Sequence, residues 1–206
     1  MSAVEKEAPV VTVPAIGQAY GGGFVTGITR DPATSKRSLH ITAGAAHELV
    51  GKWGEYGDKI KGADSFTDSL ANTQAMAAAG SELAAKVLAL NIEGFTDWAI
   101  PARDVQELQY RHFKPTTEEN WENSRNGDNP HSVPVGQMYS AEDPLQTVHT
   151  AFQEYGAEAF RDTWYWSSSQ RSAYNAFTMY FGVGYQDSTV KHGELRVRPV
   201  RSELID

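Results

Sequence analysis

The 206-residue chain contains no cysteine, which excludes disulfides, thiolate metal sites and cysteine nucleophiles together. A basic excess is missing too: 18 Lys and Arg stand against 26 Asp and Glu, a formal net charge of −8. That balance favours solubility and argues against a surface that tracks phosphate backbones, so no nucleic-acid partner is expected. No apolar run approaches the ~20 residues of a membrane-spanning helix, so no membrane insertion is expected. The opening stretch Met1 to Ala8 is charged and lacks the apolar centre of a secretory signal. Synthesis in a bacterial-type cytoplasm, with export by assembly rather than secretion, is the corresponding expectation.

Motifs that carry chemistry are equally scarce. The six histidines (His40, His47, His112, His131, His149 and His192) are scattered along the chain, so a zinc site would have to be assembled across the fold. Gly21-Gly22-Gly23 precedes no helix and no Lys-Ser/Thr pair, which makes it a turn or bulge rather than a phosphate loop. The loop from Glu118-Glu119 to Asp128-Asn129 offers oxygen atoms suited to calcium but lacks the spaced alternation of a calcium loop. Ser167-Ser168-Ser169 lacks the flanking glycines of a nucleophile elbow. Asp97, Asp104 and Glu107 are the nearest carboxylates for glycoside hydrolysis, and each has a simpler role at a turn or helix start. No enzyme activity, catalytic residue, metal or cofactor is therefore expected.

What is present suffices for a core, since 40% of residues are hydrophobic. Val10 to Val13, bounded by prolines, reads as an edge strand or docking segment, and residues 1–15 as a tether. Phe24 to Ile28 and Leu39 to Thr42 read as a hairpin. From Asp68 to Leu90 the pattern is helical, with Met76, Leu83, Val87 and Leu90 on one face and Gly80 weakening the middle. A second helix is predicted after Pro101, burying Val105, Leu108 and Phe113, with Asp104 near its positive end. Residues 114–144 form a long polar loop, a length that points to function or to contacts. A short helix is predicted around Leu145 to Tyr155.

The last forty residues are the most informative. Strand-like stretches at Trp164 to Gln170, Ala173 to Phe181 and Leu195 to Arg198 are separated by polar, Gly-containing turns, the pattern of an antiparallel meander. Trp164 and Trp166 fall on one face of their strand and Tyr165 on the other. In the last strand Leu195 and Val197 are expected to point inward, and Arg196 and Arg198 outward. Tyrosine beside small polar groups is what adaptable recognition surfaces use, because it supplies contact area at low entropic cost. Gln170, Arg171, Tyr174, Asn175, Tyr185, Gln186, Lys191 and His192 sit at the predicted turns and are the candidate receptor-contact residues.

The segment Gly94-Phe95-Thr96-Asp97-Trp98-Ala99-Ile100-Pro101, the run Tyr165-Trp166-Ser167-Ser168 and the closing Arg196-Val197-Arg198-Pro199-Val200-Arg201 resemble the Lcl C-terminal-type domain. The blocks Trp53 to Gly57, Ala63 to Gln74 and Phe181 to Gln186 resemble its subset in tailed phages and prophages. The likeness spans roughly residues 16–201. It implies a C-type-lectin-like fold: α+β, with two main helices and the C-terminal meander, over residues 16–206. It implies Trp98 and Trp166 as buried landmarks, with Ser167 and Ser168 satisfying backbone groups in the core. Ala102 departs from the family's Ser or Thr at a helix cap, and the cysteines of related formylglycine-generating enzymes and calcium-lectin signatures are absent. The functional expectation is a virion protein at a phage tail tip or tail fibre that binds a host-surface glycan or protein. Other tail proteins and a homo-oligomer, a trimer in first place, are the expected partners. A structural cap or adaptor on the fibre is the alternative, with an apolar patch at Val10 to Val13 or Phe24. An envelope-glycan hydrolase ranks third.

Overall fold

The computed structural model describes residues 13–123 and 125–205. Residues 10–12 of the predicted edge strand, and most of the expected tether, lie outside that range; Val13 is half-buried against the main core. The chain is α+β. One sheet holds β1 (Ala19–Tyr20), β2 (Gly23–Arg30), β3 (Arg37–Ala43) and the last strand, β9 (Val200–Leu204), in that order. The expected hairpin is β2–β3, with Val25 opposite Ile41 and Ile28 opposite Leu39. The triple glycine is a turn: Tyr20 pairs with Gly23, and Gly21 and Gly22 both have positive φ, the two-residue hairpin that favours glycine.

The predicted helix at 68–90 is two helices, so the described residues hold three rather than two. Helix α1 (Ser69–Ala78) ends at Gly80, whose φ of +94° stops the helix, and α2 (Glu82–Leu88) starts at once from Ser81. The Ser81 hydroxyl accepts from the Ala84 amide and donates to the Trp53 carbonyl, anchoring the corner. Met76, Leu83 and Val87 still enter one core cluster, with Trp53, Trp98 and Trp166. The helix expected at 145–155 is reduced to a single short turn, Thr150–Phe152. Leu145 and Val148 are solvent-exposed, so no apolar face packs there to hold a longer helix.

Helix α3 (Arg103–Phe113) is buried along nearly its whole length although its sequence is polar. Its side chains satisfy backbone groups on either side. Gln106 donates to the Trp166 carbonyl, and Gln109 donates to the Arg198 carbonyl and to Thr42 Oγ1. Ala102 offers no side-chain cap. The cap comes instead from elsewhere in the fold: Ser169 Oγ accepts from the Arg103 amide at 3.0 Å and the Phe66 carbonyl from the Asp104 amide at 3.0 Å.

The second sheet runs β4 (Leu49–Lys52), β8 (Glu194–Val197), β5 (Trp164–Gln170), β6 (Asn175–Tyr180), β7 (Tyr185–Val190). The meander is therefore β5–β6–β7, and Tyr185–Val190 is a strand where a turn was expected. The last predicted strand, β8, is not its third member. It crosses back to pair antiparallel with β4 and lies parallel to β5. Tyr165 and Trp166 are fully buried in separate clusters, as opposite faces require, while Trp164 stays half-exposed. After Trp166 the chain leaves the β6 ladder: Trp166 pairs with Thr178 and Gln170 with Ala176, so two extra residues bulge out. Ser168 Oγ accepts from Asn72 and Ser169 Oγ donates to the Ser65 carbonyl, so the bulge ties the sheet to the start of α1. Arg198, expected to point outward, is buried. Its guanidinium meets Glu48 and the carbonyls of Glu158 and Ala159, and lies 4.4 Å from the Phe160 ring centroid.

Candidate functional site

Between the start of α3, the outer strands β6 and β7, and the long 114–144 loop lies a cavity of about 300 Å³. Helix α3 contributes Arg103 and Gln106, the strands Phe177, Thr178, Met179, Tyr185, Gln186 and Asp187, the loop Asn123, Arg125 and Asn126, and the β5–β6 turn Arg171. The loop is fastened on both flanks. Asn126 Oδ1 accepts from the Gln186 amide at 3.1 Å, the Trp121 amide donates to the Val183 carbonyl at 2.8 Å, and Arg125 Nη2 reaches Asp104 Oδ1 at 2.7 Å. The long polar loop is thus one wall of the cavity.

Three arginines line the cavity, Arg103, Arg125 and Arg171. The guanidinium of Arg103, only 8% exposed, sits between Phe66 and Phe177, 4.5 and 4.7 Å from their ring centroids. Arg125 lies 5.7 Å from the same Phe66 ring. Among the described residues, four buried side-chain atoms have no hydrogen-bond partner: Arg103 Nη2, Arg125 Nε, Thr178 Oγ1 and Gln186 Nε2. All four residues line this one cavity. A buried polar group left unpaired costs about 1–3 kcal/mol, so groups that the fold itself leaves open are completed by water or by a ligand.

Asp104 supports the cationic wall from behind. Its second oxygen receives His131 Nδ1 at 2.6 Å. Burial raises its pKa to about 6, against the opposing pull of the His131 contact. Three residues on, Glu107 accepts from Arg111 Nε, Asn129 Nδ2 and the Tyr139 hydroxyl, and burial likewise raises its pKa. Asp97 pairs with Arg201 Nε at 2.8 Å. Each carboxylate is engaged in holding a loop or strand. Among the described residues no group of three or more His, Asp or Glu could hold a metal ion, and no helix is long and apolar enough to cross a membrane.

The candidate contact residues separate into distinct groups. Arg171, Tyr185 and Gln186 line the cavity. Tyr174 and His192 are exposed, and Tyr56 lies between them, 5.0 and 5.4 Å away between ring centroids, forming a separate aromatic patch. Asn175 is half-buried and its carbonyl closes the β5–β6 turn by accepting from the Arg171 and Ser172 amides. Gln170 and Lys191 are not at the surface. Gln170 Nε2 donates to the Ile60 carbonyl, its Oε1 accepts from the Ile60 amide, and Lys191 Nζ donates to Gln170 Oε1 and the Asp58 carbonyl above Trp53. Both are braces for the 58–63 segment. An amphipathic side chain at a strand end can bury its head wherever a carbonyl is waiting, which sequence position does not reveal.

Arg103, Arg125 and Thr178 were not anticipated. Arg103 carried a signal: a cation in the first turn of a helix opposes the helix dipole, so a second reason for its presence is called for. Trp121 extends the aromatic surface beside the cavity. It lies 5.0 Å from Tyr185, which is 5.7 Å from Trp164, itself 5.4 Å from Tyr180.

No family model matches the chain, and no curated protein sequence matches it.

Proposed function

We propose that this chain is a virion protein of a tailed phage or prophage, at the tail tip or fibre, whose C-type-lectin-like domain binds a receptor on the host cell surface. It is made in the host cytoplasm and carried to the outside on the tail as a homo-oligomer, in first place a trimer, among other tail proteins. It binds without chemical turnover. The lectin-like assignment is supported by the motif series from Gly94 to Pro101 and from Tyr165 to Ser168, and by an α+β fold whose N-terminal hairpin closes on the last strand. The receptor reading is carried by one observation: among the described residues, the buried side-chain atoms without a partner all belong to residues that line one open cavity, flanked by a row of aromatic rings.

The test is adsorption. Fluorescently labelled protein should bind cells of the bacterium that its phage infects, and the combined change Arg171→Ala, Tyr185→Ala, Gln186→Ala should reduce that binding at least tenfold. Unchanged adsorption by the triple variant sinks the cavity as receptor site.

The alternative reading, a fibre cap or adaptor without receptor contact, is favoured by a different region. Leu145, Val148 and Tyr155 are 74%, 84% and 95% exposed, apolar side chains that another subunit would cover. Phe24, expected to mark an apolar patch, instead packs edge-on against Phe152 at 5.1 Å. Native mass spectrometry separates the readings: a defined oligomer that dissociates on Val148→Asp, with adsorption absent throughout, supports the adaptor.

A further inference from the structure

We infer that the cavity between α3 and β7 binds the carboxylate of an acidic sugar, with the neighbouring sugars of the chain laid along the aromatic row Trp121–Tyr185–Trp164–Tyr180. The inference rests on the receptor reading above and names the chemistry of its ligand.

The unpartnered polar groups on the cavity's lining residues are mainly donors: Arg103 Nη2, Arg125 Nε and Gln186 Nε2, with the Thr178 hydroxyl able to donate or accept. A ligand that satisfies them must bring acceptors, and a carboxylate offers two oxygens to planar guanidinium edges. Phe66 and Phe177 fix the Arg103 plane in advance, so little freedom is lost when the ligand arrives. The nearest acidic side chain, Asp104, lies 4.0 Å from Arg103 Nε and leaves Nη2 open. Asp104 is occupied by Arg125 and His131, Asp128 meets Arg125 Nη1 at 3.6 Å from the exposed surface, and Asp187 stands exposed on the rim, where water screens it. Arg171, on the opposite rim, adds a third positive charge and is held by Ser188 Oγ at 2.9 Å.

The remaining walls decide what carries the carboxylate. Phe177, Met179 and Tyr185 give an apolar side to a space of about 300 Å³, far larger than a bare anion and suited to one ring. Pyranose rings have a C–H face that packs on the electron-rich face of an aromatic ring. The half-exposed rings of Tyr185, Trp164 and Tyr180, with Trp121 alongside, continue that surface away from the cavity.

Calorimetric titration of the full chain tests this with D-glucuronate, D-glucose, acetate, N-acetylaspartate and inorganic sulfate as probes. Saturable binding of glucuronate, with every other probe at least tenfold weaker, is the expected result. Equal affinity for glucose removes the carboxylate, equal affinity for acetate or sulfate removes the sugar, and equal affinity for N-acetylaspartate points to a peptide; each overturns the inference, as does the absence of saturation. Gln186→Leu and Arg171→Ala should each weaken glucuronate threefold or more while the thermal melt stays in place, and Arg103→Met should abolish binding. Full affinity in all three also overturns it. Trp121→Ala should weaken a uronic-acid tetrasaccharide but leave the monosaccharide unchanged, and an unaltered tetrasaccharide affinity removes the aromatic row. Adsorption to host cells is scored separately. Glucuronate binding without adsorption refutes the receptor reading, whereas adsorption that survives Gln186→Leu and Arg171→Ala with no glucuronate binding refutes the sugar site alone.

Discussion

Arg198 and Arg103 are both buried, yet the fold treats their guanidinium groups in opposite ways. Every nitrogen of the Arg198 guanidinium has a partner: Nε and Nη2 meet Glu48, while Nη1 and Nη2 also reach the carbonyls of Glu158 and Ala159. Glu48 in turn accepts from Arg196 and from the Tyr165 hydroxyl, so the cluster ties β4, β5, the end of β8 and the 158–160 segment into one closed network. Arg103 is held by two aromatic faces and lies 4.0 Å from Asp104, and its Nη2 has no partner among the described residues. Saturated networks fix structure, and the open one beside the cavity is what the proposed binding site rests on.

That contrast can be broken by measurement. The largest effect is expected for Arg198→Met, which strands a buried Glu48 with only part of its support and should cost roughly 3 kcal/mol in urea unfolding. Lys191→Met should follow at about 2 kcal/mol, because the Asp58 carbonyl and Gln170 Oε1 lose their shared donor. The same variant should leave cell adsorption per folded molecule unchanged. Adsorption that falls with stability intact would return Lys191 to the contact set.

Asp104 gives a pH signature. Its folded pKa, raised to about 6, lies above the ordinary aspartate value, so the folded state holds this proton longer than the unfolded chain does. Its contribution to stability is therefore complete below about pH 4 and is lost as pH rises towards 6, at no more than about 1 kcal/mol per pH unit. Asp104→Asn should flatten the profile between pH 4 and 6; an unchanged slope would show that Asp104 does not hold the proton. The smallest stability effect is expected for Arg103→Met, within about 1 kcal/mol, since an apolar chain between two aromatic rings removes an unpaired donor along with its charge. If Arg103→Met destabilises as much as Arg198→Met, the distinction between brace and binding site collapses.

Legibility followed the range of the interaction. The β2–β3 hairpin, the glycine turn, the helix after Pro101 and the opposed faces of Tyr165 and Trp166 depend on neighbours in sequence and could be read there. The same holds for the weak point at Gly80, although its consequence, two helices, was larger than expected. Tyr185 to Val190 was misread because its polar, glycine-flanked sequence suits a turn, while pairing to β6 along six residues makes it a strand. Of the candidate contact residues, Arg171, Tyr185 and Gln186, chosen from chemistry and position, line the cavity. Gln170 and Lys191 were misplaced because their partners, Ile60 and Asp58, lie more than 100 residues away.

By itself the sequence determined an α+β chain without disulfides or thiolate sites, with an aromatic-rich C-terminal meander. Periodicity, turn chemistry and composition are local properties, and they suffice for that. Tertiary structure alone decided that β8 returns beside β4, that Ser169 caps α3 in place of Ala102, and which arginines are closed and which open. Those outcomes depend on which donors meet which acceptors across distant segments, and a buried polar group's role is fixed only by the partners that the whole fold brings to it or withholds.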